Sequence, residues 1–436
     1  MKPLIPRVGV CAVSSPLEVG ADQAPALAGA LEQALRAAGC EVASAGSVDT
    51  PDAATAAGRL FAEQHADAIA CVSASWFEDY VVLDMLEECG APILLWSTPG
   101  METGALCGQQ QLTCFLKQLD HPYACAFGDI DSHQAQARAS AFLRAAALKA
   151  RLRRARIGLA GQRISGMTHT SPNEFMLKKA VGPRVVPLDL PQLLARAAQS
   201  PVEQTRPLWE AFRARVATCS VPDAEGLDSM AVYVAVRELV EQHGLDALTV
   251  GCYPHLMGRV CLAASLLADE GIPLACEGDV HGAVGQFMLT LLTGGPTHNT
   301  DWLNPQHDGT VVFTHCGSGS LSLAEHESHV TLRDVRLMGQ GVCALFPAKP
   351  GPVTLVSLNV CAQGYQCAIL EGEALPAEMI FPGNPLRVQF RRPVAEIIDW
   401  IHDEGIGHHW MAGYGKVTAE IREWAKLAGH SLRLIG

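Results

Sequence analysis

The feature that most constrains this chain is an alternation of short apolar runs with segments of helical period, kept up over its first two thirds. Arg7–Val13 has strand length. Gln23–Ala38 repeats Ala and Leu at helical spacing, and Gly39 follows, the residue type that closes a helix. Glu41–Ala45 reads as a second strand and Asp52–His65 as a helix opened by an Asp52 cap. Asp67–Ser73 and Pro92–Trp96 are strand-like, with the helical segment Asp79–Cys89 between them. Short apolar runs that alternate with helical segments predict parallel strands joined by helical crossovers. The basic stretch Lys149–Arg156 reads as a solvated helix end and linker, and the pattern restarts there with Ala155–Ala160 as a strand. Helices are predicted at Asn173–Val181, Pro207–Ala217 and Asp228–His243. Ala247–Cys252 and Pro273–Cys276 read as buried strands, each followed by a helix, Met257–Glu270 and Val280–Leu292.

The texture changes after Gly294. Thr310–Leu370 carries β-rich runs punctuated by Gly and Pro, the spacing of an antiparallel sheet or small barrel. Two helices, Pro393–His402 and Lys416–Ala428, and a strand, Ser431–Ile435, close the chain. The predicted class is α/β, with two Rossmann-like doubly wound domains at 1–152 and 153–294, followed by a β-rich C-terminal domain at 295–436. A length of 436 residues agrees with about three domains.

Thirty-two basic against 45 acidic residues leave a net charge of −13, which argues against nucleic acid or an anionic membrane as partner. No uninterrupted apolar run approaches the ~18 residues that a membrane span needs. Met1–Arg7 leads into a strand rather than a signal-peptide core. The 15 cysteines are an odd number, sit mostly in apolar runs and form no CxxC pair, which reads as buried thiols in a reducing cytoplasm.

Neither GxGxxG nor GxxxxGK[ST] follows the first strand, and GxSxG is absent, so no nucleotide loop or serine nucleophile is indicated. Gly317-Ser318-Gly319-Ser320 reads as a turn. The informative stretch is Ala275–Ser320. Glu277 sits at the carboxyl end of a buried strand, where open α/β sheets place their ligands. Asp279 and His281 follow, then Asp301, His307 and His315. Carboxylate oxygens with imidazole nitrogens suit Mn²⁺, Co²⁺, Fe²⁺ or Mg²⁺. Asp279 reads equally as the cap of the helix beginning at Val280, and His307 as a loop histidine. A second cluster, Gly405–Gly415, holds His408-His409 in what reads as a glycine-flanked loop between two helices.

Together these two sites resemble the L-fucose isomerase and L-arabinose isomerase superfamily. Glu277-Gly278-Asp279 matches the metal-binding strand-end segment, Leu291-Leu292-Thr293-Gly294 the helix that follows it, and Asp301, at 301 − 277 = 24 positions on, the second carboxylate. His409, with Tyr414-Gly415 after it, matches the C-terminal ligand. The E-G-D form and the HH pair are those of the arabinose branch, in which a fourth ligand falls at His315, whereas Asp301 is of the fucose type. The resemblance is specific over about 270–320 and 400–420.

What it implies is aldose–ketose isomerisation of a pentose or deoxyhexose-type sugar through an enediol. Mn²⁺, or another divalent ion such as Co²⁺ or Mg²⁺, would be held by Glu277, Asp301, His409 and His315, with Glu277 and Asp301 as the acid/base pair. It also implies a homo-oligomer, hexamer or trimer. Trp76, Trp302, His169 and His408 are the residues expected against the sugar, with Thr168 beside His169. Two other readings stay open: a sugar-binding protein without catalysis, and a metal-dependent hydrolase or aldolase using the same ligands.

Overall fold

A computed structural model describes residues 4–429 and 432–436. Contacts divide the described residues into two compact units, one of residues 4–151 with 419–428 and one of residues 152–418 with 429 and 432–436.

In the N-terminal unit, β1 (Arg7–Val13), β2 (Glu41–Val48), β3 (Ala68–Ser73), β4 (Ile93–Ser97) and β5 (Tyr123–Phe127) form a parallel sheet in the order β2-β1-β3-β4-β5. β3 and β4 are buried throughout, which is why they read as unbroken apolar runs rather than alternating ones. The helices are α1 (Ala24–Ala37), α2 (Pro51–Glu63), α3 (Asp79–Glu88), α4 (Ala105–Gln118) and α5 (His133–Arg154). α2 opens at Pro51 and is capped by Thr50, whose side chain accepts from Ala53 N, so the expected Asp52 cap is displaced by two positions.

The C-terminal unit begins with β6 (Arg156–Ala160), α6 (Glu174–Ala180), β7 (Arg184–Leu188), α7 (Leu190–Gln199), α8 (Val202–Arg213), β8 (Thr218–Cys219) and α9 (Asp223–His243). β9 (Ala247–Val250), α10 (Cys261–Glu270), β10 (Leu274–Ala275) and α11 (Val280–Thr293) follow. β10-β9-β6-β7 is a second parallel sheet, the Rossmann-like layout expected. α8 starts five residues before the predicted Pro207, which stands inside it, and α9 likewise extends back to Asp223.

The β-rich part is a barrel. β11 (Thr297–Pro305), β12 (Thr310–Thr314), β13 (Thr331–Arg333), β14 (Cys343–Leu345), β15 (Gly351–Cys361), β16 (Gly364–Leu375), β17 (Leu386–Phe390), α12 (Val394–Glu404), β18 (His409–Tyr414), α13 (Thr418–Ala428) and β19 (Leu432–Ile435) complete the chain. The order β15-β18-β11-β12-β17-β16, closed by β15 pairing with β16, makes an antiparallel ring with β19 added in parallel. β13 pairs with β14 on one side and β8 on the other in a separate small sheet. Ser431, predicted to open the last strand, lies outside the described residues.

The expected loop at 405–415 is corrected. Gly405, at φ 62°, closes α12, and His409–Tyr414 is the strand that joins β11 to β15. Trp410, Ala412 and Tyr414 enter the barrel core, while His409 and Met411 point to the other face. That other face is covered by α11, whose residues from Val280 to Leu292 are all buried and which also contacts β6, β9 and β10. Gly282 and Gly285 let the helix come close: a Cβ on Gly282 would stand 2.7 Å from Asp279 Oδ2 and 2.9 Å from Met411 Cε. Gly282→Ala should therefore cost about 1–3 kcal/mol of stability through overpacking, despite the helix propensity gained. An unchanged or raised melting temperature would contradict this packing. Among the described residues no helix is long and apolar enough to cross a membrane.

Candidate metal centre

The site stands where the carboxyl ends of β9 and β10 meet the barrel strands β11 and β18. Past β10 the chain reverses through Glu277 at φ 66° and Gly278 at φ 71°. Glycine adopts this left-handed conformation freely; glutamate pays roughly 1–2 kcal/mol for it. Gly278 N, which donates to Val250 O, and Glu277 O, which accepts from Ile164 N, pin the turn. A strained acidic residue held by its surroundings is typical of a working site. Gly278 must be glycine for a second reason, because a Cβ there would lie 2.6 Å from Gln162 O.

Asp279 uses its two oxygens differently. Oδ1 accepts from His281 N at 2.9 Å and caps α11, while Oδ2 accepts from His409 Nδ1 at 2.8 Å. The cap expected from sequence is present, and the second oxygen goes to His409. Its carboxylate turns the other ring nitrogen, Nε2, toward two more: 3.1 Å from Glu277 Oε2 and 3.5 Å from Asp301 Oδ1. Asp301 stands directly across the β11–β18 ladder from His409. His408 Nε2 is 4.0 Å from Asp301 Oδ1, at the exposed rim. His315, just beyond β12, brings its ring centroid to 5.9 Å from that of His409. Glu277, His315 and His409 each offer a donor atom within 4.8 Å of the other two, as do Asp301, His408 and His409. His169, on the turn after β6, lies 5.2 Å from the His408 ring and 6.5 Å from the His409 ring.

Six of the residues singled out from sequence therefore converge: Glu277, Asp301, His409, His315, His408 and His169. Trp302 does not join them. The pleat that turns Asp301 to the site turns Trp302 into the barrel core, stacked on Phe390 at 6.0 Å and edge-on to Phe313 at 5.1 Å. Trp76, after β3 in the N-terminal unit, donates from Nε1 to Gln111 Oε1. His307 is exposed in the turn between β11 and β12, and His281 is buried against Tyr365 Oη at 3.1 Å. Two residues without any motif complete the surroundings. Asn359 Oδ1 accepts from Gly407 N, and Asn359 Nδ2 donates to Ser357 Oγ, which fixes the approach to the HH pair. Only long-range pairing puts Asn359 there, so no local signal could have revealed it. A cavity of about 280 Å³ in the N-terminal unit, lined by Cys40, Trp96, Gln136 and Arg144 among others, has no carboxylate or imidazole in its wall and no part in this chemistry.

Burial pushes the His409 imidazole down, but hydrogen bonds to Asp279 and Glu277 and the nearby carboxylate charges lift it from the ordinary 6.5 to about 10. Burial pushes the Glu277 and Asp279 carboxyls up, and the His409 hydrogen bond with the surrounding imidazoles more than offsets this, leaving both below their ordinary values. His408 and His169 are held low, first by burial and then by repulsion from His409. Glu277 and Asp279 thus favour their charged forms beside a His409 ring that favours its own.

This donor set fits a divalent ion. Asp301 Oδ1 is buried without a hydrogen-bond partner, a costly state that a cation would relieve. Oxygen and imidazole donors suit Mn²⁺, Co²⁺ or Mg²⁺. The Asp279–His409 pair has the form of an outer carboxylate that fixes a ligating histidine. Asp279→Asn should weaken metal affinity by about 10- to 100-fold with the fold intact, read by Mn²⁺ titration. Unaltered affinity would remove Asp279 from that role.

No family model matches the chain. Curated proteins resemble it along most of their length. It is 27% identical over 373 residues to sulfoquinovose isomerase of Alkalicoccus urumqiensis, covering 83% of this chain and 84% of that one. The sulfoquinovose isomerase of Priestia megaterium is 24% identical over 376 residues, covering 83% and 84%. That of Clostridium sp. (strain MSTE9) is 24% identical over 347 residues, covering 76% and 77%. Similarity to these isomerases over most of both chains makes the protein an enzyme, an intramolecular oxidoreductase of the aldose–ketose isomerase class.

Proposed function

We propose that this chain is a metal-dependent isomerase of the L-fucose/L-arabinose isomerase superfamily. It would interconvert the aldose and ketose forms of a sulfonated deoxyhexose, with sulfoquinovose, the sugar in its relatives' name, as the first substrate to test. Sulfoquinovose is a 6-deoxyhexose, so it falls in the deoxyhexose class that the motif resemblance implies. The observation that carries the reading is the meeting of Glu277, Asp301 and His409, with Asp279 behind His409.

Glu277, Asp301 and His409 would hold the ion, with His315 as fourth donor. A divalent ion bound there supplies Lewis-acid polarisation of the sugar carbonyl and the neighbouring hydroxyl. Glu277, aimed by its left-handed turn, removes the proton from the carbon beside the carbonyl and returns it to the adjacent carbon. Asp301 exchanges the hydroxyl proton, so that the enediol forms and collapses with no net change in atoms. Asp279 keeps Nδ1 of His409 occupied and thereby its Nε2 toward the two carboxylates. His408 and His169, both exposed at the rim, would meet sugar hydroxyls.

The test is incubation with Mn²⁺, Co²⁺ or Mg²⁺ and a panel holding sulfoquinovose, fucose, arabinose and their ketoses in deuterated water. Interconversion is expected, with deuterium entering C1 of the ketose and C2 of the aldose as the carried proton exchanges with solvent. Binding without turnover would favour a sugar-binding protein, and shorter products an aldolase or hydrolase.

A further inference from the structure

Behind Glu277 lies a group of thiols that the isomerase chemistry does not use. Cys276, the residue before Glu277, and Cys316, the residue after His315, are unbridged, as are Cys252, Cys261 and Cys343 around them. Cys261 Sγ and Cys316 Sγ are 3.6 Å apart, and Cys316 Sγ is 3.2 Å from His315 Nδ1. Cys276, His315 and Cys316 each present a donor atom within 4.8 Å of the other two. Tetrahedral zinc bonds of about 2.3 Å to sulfur and about 2.05 Å to nitrogen separate the donors by roughly 3.4–3.8 Å. The 3.6 Å and 3.2 Å spacings are already close to those edges.

We propose that Cys276, Cys316 and His315 form a second cation site, selective for thiophilic ions such as Zn²⁺ or Cd²⁺, with Cys261 beside Cys316 as a further sulfur donor. Soft thiolates prefer d¹⁰ ions of this kind, whereas the Glu277–Asp301–His409 group prefers harder ones. Binding forms two sulfur–metal bonds and one nitrogen–metal bond, and two thiol protons pass to solvent. His315 belongs to both groups, its Nδ1 facing Cys316 while its ring borders His409. A thiophilic ion there, its charge balanced by the two thiolates, draws the shared donor His315 away from the harder site. It therefore acts against the activating ion, raising the Mn²⁺ needed for half-maximal activity by about tenfold or more. This effect on activity rests on the isomerase reading; the binding itself does not.

Cd²⁺ is the probe, titrated into Mn²⁺-loaded full-length protein that carries Cys107→Ser and Cys114→Ser to silence the two exposed thiols. One equivalent should bring a near-ultraviolet thiolate-to-cadmium absorption, abolished by adding Cys316→Ser and weakened by Cys276→Ser. The ¹¹³Cd resonance of the unsubstituted site counts its sulfurs without relying on a variant's folding. No absorption, absorption that persists in a folded Cys276→Ser/Cys316→Ser protein, or a resonance showing only oxygen and nitrogen ligands would overturn the site. Cadmium bound through sulfur in a protein that isomerises no sugar leaves the site standing and defeats the isomerase reading. Turnover without sulfur-bound cadmium does the reverse.

Discussion

Glu277→Gln should lower isomerisation by about 10³-fold or more, some 4 kcal/mol of barrier, while circular dichroism and cooperative melting are retained. The amide has the carboxylate's shape, and the left-handed turn is fixed by backbone bonds from Gly278 to Val250 and from Ile164 to Glu277, none of which the substitution touches. What is lost is the negative charge that would hold the ion and the base that would carry the proton. The same loss removes one of the two hydrogen-bonded carboxylates that raise the His409 imidazole. Asp301→Asn should act in the same direction. If Glu277→Gln turned over sugar near the wild-type rate, the proton transfer would have to be assigned elsewhere.

The second large effect concerns the ion. Exhaustive chelation should abolish activity and lower the melting temperature, and Mn²⁺ or Co²⁺ should restore both. An ion present at a thousandfold its dissociation constant contributes about 4 kcal/mol. The pH dependence has a definite sign. His409 carries a pKa of about 10 in the metal-free fold against an ordinary 6.5. Its proton therefore stabilises the metal-free protein fully below pH 6.5, and that contribution is lost as pH rises through about 10. The metal-free melting temperature should fall across this window. Ion and proton compete for His409 Nε2, so the apparent metal affinity should rise about tenfold per pH unit between pH 6 and 9. Full activity and unchanged melting after chelation, or an affinity indifferent to pH, would contradict the centre described.

Much of the local structure was legible. β1, β3, α3 and α11 fall within a residue or two of their predicted bounds: the two strands are unbroken apolar runs of strand length, and α11 is capped by Asp279 and closed by Gly294. The carboxylates were singled out too: Glu277 through its place after a buried strand, and Asp301 through the family resemblance, whose motif its distance from Glu277 matches. β18 was not. Its alternation spans six residues between glycines, and both faces are buried, one by the barrel core and one by α11, so it lacks the polar side that marks a strand. Trp302 was placed beside Asp301 along the chain, but the pleat separates adjacent side chains to opposite faces. Pro207 hid the first turn of α8, since proline is usually read as a helix start.

The sequence by itself determined periods, turns and the kinds of donor atom available, because these depend on residues a few positions apart. Only the tertiary structure decided which donors meet. Asp279 and His409 are 130 residues apart and share a hydrogen bond because barrel closure brings β18 against α11. Such pairing is set by which apolar faces bury one another across the whole unit, a property that no local stretch of chain contains.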